Sequence, residues 1–108
     1  MSSAYQIMWV LVFFDLPVGS KSERQKATGF RKLLLDEGFR MKQFSVYLRS
    51  VHNRTIANAL AERIGRFVPP EGDISIMFFT DKQYGLTRNF YGKAIKEVEK
   101  PPAQLMLF

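Results

Sequence analysis

The stretch Met8-Trp9-Val10-Leu11-Val12-Phe13-Phe14-Asp15-Leu16-Pro17 decides the fold. Seven apolar residues run into one carboxylate, and Leu-Pro follows at once. β-branched and aromatic side chains dominate, which predicts a strand. Successive side chains of a strand point to opposite faces. Met8, Val10, Val12 and Phe14 therefore share one face, and Trp9, Leu11, Phe13 and Asp15 the other. With apolar residues on both, both faces need cover, which suits a central strand. Pro17 has no N–H for a ladder, so the strand ends before it. Asp15 then stands at the strand's C-terminal end. A carboxylate there is either a cap for a turn or helix, or a site residue.

Outward from this strand, Val18-Gly19-Ser20 reads as a turn, and Ser20-Lys21-Ser22-Glu23 has the spacing of a capping box. A helix follows from about Lys21 to Glu37. Its stripe is Ala27, Phe30, Leu33, Leu34 and Glu37, and Gly38 is placed as a left-handed C-cap. The outer face carries Lys21, Arg24, Gln25, Thr28, Arg31 and Lys32. Such a row is ordinarily a solvated helix face. Here Lys21, Arg24, Arg31 and Lys32 lie toward the same end of the fold as Asp15, which makes them candidate phosphate contacts.

Phe39 to Ser50 reads as β structure, either two short strands or one bulged strand. Val46 and Leu48 share one face, and Ser45, Tyr47 and Arg49 the other. Asn53 is a candidate N-cap for a second helix, from about Thr55 to Phe67, with the stripe Ala57, Leu60, Ala61, Ile64 and Phe67. Pro69-Pro70 breaks it. Asp73 to Thr80 is the next strand, ended by Asp81-Lys82-Gln83-Tyr84-Gly85, and the stretch to Gly92 has room for one helical turn. Lys93 to Lys100 is charged and linker-like, and Pro101-Pro102 stops any helix. Ala103 to Phe108 is apolar and strand-like, and is expected to pair with a sheet edge of its own chain or of a partner.

The order strand, helix, two short strands or one, helix, strand gives an α+β, ferredoxin-like βαββαβ sandwich over residues 1–100. A C-terminal strand over 101–108 is added. Two helices cover one sheet face. The first strand is apolar on its other face too, and a second copy of the sheet is the simplest cover. The expectation is a homodimer packed sheet to sheet, with Trp9 and Phe13 at its seam.

The bulk properties agree with one such domain. A chain of 108 residues buries about two thirds of its unfolded surface, enough for a core without staples. There is no cysteine, which removes disulfides, thiolate metal sites and a cysteine nucleophile, and fits a reducing, cytoplasmic setting. The leading residues carry no basic targeting region, and the apolar run is too short to span a membrane. The net charge is +6 and the pI about 9.8, which favours an anionic partner, nucleic acid first.

The chemistry open to these residues is narrow. Walker, GxGxxG and zinc spacings are absent, as is the aromatic signature of an RRM. The one histidine, His52, reads as an exposed turn residue. Acid and cation chemistry remains. Asp15 suits Mg²⁺ or Mn²⁺, which take oxygen ligands and keep waters, one of which could attack a phosphodiester.

The apolar strand ending in Asp15, the helix from Glu23-Arg24 through Phe30-Arg31-Lys32-Leu33-Leu34, Glu37-Gly38-Phe39 and above all Gln43-Phe44-Ser45-Val46-Tyr47 resemble the Cas-two family. This is the smaller of the two universal CRISPR adaptation proteins. Asp81-Lys82-Gln83-Tyr84 and Phe90-Tyr91-Gly92 look most like members that accompany type II systems. The resemblance implies a ferredoxin-like homodimer that bridges two dimers of the Cas-one integrase. Together they would hold a duplex DNA prespacer for insertion into the repeat array. It also implies metal-dependent nuclease activity on RNA or duplex DNA, with Asp15 as catalytic residue and as ligand for Mg²⁺ or Mn²⁺. Many relatives have Tyr where this chain has Phe14. Their basic run after the first strand is replaced by Leu16 to Lys21, which leaves phosphate contacts mainly to Lys21, Arg24 and Arg31.

Overall fold

The computed structural model describes residues 6–92. The chain folds as β1 (Met8–Asp15), α1 (Lys21–Asp36), β2 (Arg40–Gln43), β3 (Val46–Val51), α2 (Arg54–Gly65), β4 (Asp73–Thr80) and α3 (Asp81–Gly85). The strands form one antiparallel sheet in the order β2-β3-β1-β4, with β1 inside as its two-faced apolar pattern requires. This is the ferredoxin-like α+β sandwich. Residues 40–50 resolve into two strands rather than one, joined by a tight turn at Phe44-Ser45 with a register shift between Met41 and Gln43. The segment 93–108, with the expected C-terminal strand, lies outside the described residues.

The main core lies between α1, α2 and the inner sheet face. Met8, Val10, Val12 and Phe14 of β1 meet Ala27, Phe30 and Leu34 of α1, and Ala57, Leu60 and Ile64 of α2. Phe14 packs edge-on against Phe30 at 5.3 Å and stacks with Tyr47 at 5.8 Å. Burying side chains of this size contributes about 1.5–3 kcal/mol each against exposure.

Local signals set the helix ends. Ser20 and Glu23 form the expected capping box, with Ser20 Oγ accepting from the Glu23 N–H at 3.0 Å and Glu23 accepting from the Ser20 N–H at 2.9 Å. Gly38 has φ +90°, a conformation that disfavours a side chain, and turns the chain into β2. Asn53 caps α2 by accepting from the Ile56 N–H at 2.8 Å. Phe67, expected in the α2 stripe, lies beyond the helix end and is exposed, because α2 stops at Gly65. Glu37, also expected in a stripe, is the C-cap of α1 instead. Its carbonyl accepts from Arg49 at 2.6 Å, and its carboxylate receives both Nε (3.0 Å) and Nη2 (2.8 Å) of Arg63.

That fork has a measurable consequence. The Arg63 hydrogen bonds hold the Glu37 carboxyl below its ordinary 4.5, with the Arg63 and Arg49 charges adding to the effect and partial burial opposing it. A group lowered on folding stabilises the fold above its unfolded pKa and loses that contribution as pH falls through the folded one. Glu37→Gln is expected to lower Tm at neutral pH, with the gap from wild type closing as pH falls below 4.5. A pH-independent gap would mean that the charge is not what matters.

On the outer face the cover differs from expectation. Trp9 is only 9% exposed within a single chain. Tyr84 of α3 stacks on its indole at 4.2 Å, and Trp9 Nε1 donates to Asp81 at 2.8 Å. The helical turn thus starts directly at Asp81, capped by Thr80, rather than after Gly85. Lys42 of β2 donates to Asn89 at 2.8 Å, so the chain after α3 crosses this face from β4 toward β2. Trp9 does not need a second copy to bury it. Phe13 and Met77 remain 39% and 45% exposed beyond the reach of α3.

Candidate nucleic-acid interface

The C-terminal end of β1 is where Asp15, Asp73 and, beside the β2–β3 turn, Arg31 come together. Asp15 is the last residue of the strand, exposed on the outer face. Asp73, the first residue of β4, lies directly across from it on the same face. Cross-strand neighbours in an antiparallel pair have Cβ atoms about 5 Å apart, and like charges so placed repel unless a cation lies between them. Asp73 has an unremarkable turn explanation from sequence alone. Its site position follows from the pairing of two eight-residue strands end to end, the one cue that points to it.

The β2–β3 turn closes the other flank. The Phe14 N–H donates to the Ser45 carbonyl at 3.2 Å, so Phe44-Ser45 abuts the residue preceding Asp15. Arg31 reaches over from α1. Its Nε donates to the Phe44 carbonyl at 3.4 Å, and its guanidinium lies 3.9 Å from the centre of the Phe44 ring and 5.5 Å from that of Phe14. The sequence resemblance assigns Arg31 to phosphates. The fold gives it a prior engagement with two rings and a carbonyl.

The other three cations are more dispersed than one patch. Lys21 is exposed in the first turn of α1. Arg24 donates to the Val18 carbonyl at 3.2 Å and holds the loop that follows β1. Lys32 pairs with Asp36 at 3.3 Å, both well exposed, where such a pair contributes little. Lys21 and Arg24 stand at the start of α1, and Arg31 and Lys32 in its second half.

Among the described residues, no three His, Cys, Asp or Glu side chains cluster as a metal group. One chain offers at this end the two hard carboxylates of Asp15 and Asp73. That set suits a cation that keeps most of its water, such as Mg²⁺, and does not suit a fully protein-ligated ion. No helix among the described residues is long and apolar enough to cross a membrane.

The family model for CRISPR associated protein Cas2 matches residues 8–87, from the first residue of β1 to just past α3. The chain belongs to the Cas2 family. Curated Cas2 relatives extend the match. The "CRISPR-associated endoribonuclease Cas2" of Flavobacterium psychrophilum is 48% identical over 104 residues, 96% of this chain and 90% of its own length. The protein of the same name from Paracidovorax avenae is 44% identical over 108 residues and the full length of both chains. Among solved structures, Streptococcus pyogenes Cas2 superposes with a TM-score of 0.55 over 78% of this chain and 99% of its own, at 22% identity. A second Cas2 crystal structure gives a TM-score of 0.55 over 84% and 95%, at 23% identity. At that identity the two structures speak to the fold, and they agree with the α+β sandwich of this chain.

Proposed function

We propose that this Cas2 family member acts in CRISPR adaptation. It binds duplex DNA through phosphates and, as a homodimer, scaffolds the Cas-one integrase over the prespacer and repeat array. The observation that carries the reading is the exposed start of α1, where Lys21 and Arg24 stand on a chain of net charge +6. Lys21 and Arg24 reach backbone phosphates, which position a duplex without reading its sequence. The exposed apolar pair Phe13 and Met77 supports a sheet-to-sheet dimer. β4 has a ladder partner only on its β1 side among the described strands, which supports docking of residues 101–108 along an edge, that of the partner subunit being the natural choice.

The test is a salt titration of duplex binding. The logarithm of the affinity should fall linearly with the logarithm of salt concentration, by about 0.9 for each phosphate neutralised. Changing Lys21 and Arg24 together to alanine should reduce that slope by about 2. A salt-independent affinity, or an unchanged slope in the double variant, would remove the phosphate face.

A second reading, a metal-dependent endonuclease of RNA or duplex DNA, is favoured by the facing Asp15 and Asp73 and by the names of the curated relatives. Asp15, helped by Asp73, would hold the Mg²⁺ or Mn²⁺ ion. Such an ion supplies a water acidic enough to attack a phosphodiester near neutral pH. The chain's own part is to orient that site at the rigid end of a central strand and to hold the neighbouring phosphates with α1.

A further inference from the structure

We infer that Phe44 is a stacking platform for an unpaired base, held ready by Arg31 beside Asp15. This rests on the nucleic-acid reading above and names the substrate feature that the same end of the molecule takes. Phe44 is 67% exposed, yet it is not on a loose loop. It occupies a two-residue turn tied on one side by the Phe14 N–H to Ser45 and on the other by Arg31 Nε to its own carbonyl. Arg31 covers one face of the ring at 3.9 Å, in a geometry where a cation and an aromatic face attract, so a base takes the opposite face. An aromatic face with a neighbouring guanidinium, fixed at low entropy cost, is how single strands are held without regard to sequence, since every base has a π-face.

A paired base inside a duplex has its faces covered by its neighbours and cannot use the ring. The ligand is therefore an unpaired base, with RNA and DNA as its two sources. The turn abuts the residue before Asp15, so a base stacked on Phe44 would place its flanking phosphate toward the Asp15 end. Phe44 is a positioning residue in this scheme and takes no part in bond breaking.

The experiment compares wild type, Phe44→Ala, Phe44→Leu and Phe44→Trp for binding to three probes. These are a blunt DNA duplex and single-stranded RNA and DNA oligonucleotides carrying 2-aminopurine. Phe44→Ala should weaken single-strand binding about 5- to 150-fold, the range for losing one stacked base, and leave the blunt duplex unchanged. Phe44→Trp should restore both the affinity and the quenching of 2-aminopurine, and Phe44→Leu should restore neither. The RNA and DNA arms show which strand the platform takes. The inference is overturned if Phe44→Ala weakens duplex and single strand alike, if it weakens neither, or if Phe44→Leu binds like wild type, which would mark an apolar protein contact. If wild type binds no blunt duplex while single-strand binding still depends on an aromatic at 44, the duplex reading falls and this one stands.

Discussion

Leu34→Ala is expected to cost about 2–5 kcal/mol of folding stability, the range for emptying a fully buried leucine site. Leu34 is 0% exposed, on the α1 face turned to the sheet with Ala27 and Phe30. The surrounding chain has little freedom to close the gap. The Leu34 carbonyl accepts from the Phe39 N–H at 3.0 Å and the Glu37 N–H at 3.2 Å, pinning the end of α1 to the start of β2. Leu35, next in sequence, is 53% exposed and serves as the control: its change to alanine should cost less than about 0.5 kcal/mol. Urea denaturation at one fixed protomer concentration checks both, since association would otherwise add to apparent stability. The midpoint should shift for Leu34→Ala at unchanged m-value. Equal costs at 34 and 35 would mean that α1 does not pack as described.

Asp15→Asn is expected to lower any Mg²⁺- or Mn²⁺-supported cleavage of RNA or duplex DNA by at least about 100-fold. Losing a residue that only supports a metal ligand typically costs 10- to 100-fold, and a direct ligand should cost more. Asparagine keeps the shape and removes the charge that attracts the cation. The side chain is exposed at a strand end, so fold and assembly should be untouched. Duplex affinity should hold or rise slightly, because a negative charge leaves a binding surface. Integration of a short duplex into a repeat-containing plasmid with the purified integrase separates the two readings. Integration that persists with Asp15→Asn makes the chain a scaffold. Integration lost while the complex still assembles makes Asp15 part of the mechanism. Cleavage that survives unchanged would point to a contaminating nuclease.

What the sequence by itself determined is whatever short-range patterns encode. Seven apolar residues without alternation, rich in β-branched and aromatic side chains, suit a strand covered on both faces, and β1 is central. Ser20 with Glu23, Gly38 and Asn53 fix helix ends through bonds spanning a few residues. From these the ferredoxin-like sandwich was legible, with one strand or two left open before Val51 and the helical turn at Asp81 missed, as was the family in the string around Gln43 to Tyr47. Asp15 was legible as a candidate because a lone carboxylate ending an apolar strand stands out in one dimension.

Only the tertiary structure decided the rest, because it depends on which distant residues share a register. Asp73 becomes a neighbour of Asp15 through the β1–β4 pairing. Tyr84 buries Trp9 because α3 folds back over the outer face, so that indole needs no partner chain. Arg63 finds Glu37 only where α2 lies beside the end of α1. Arg31 looks like one of four equivalent cations along a helix. The tight β2–β3 turn sets it apart by bringing Phe44 under its guanidinium. Periodicity states which face a side chain is on, and packing alone states what meets it there.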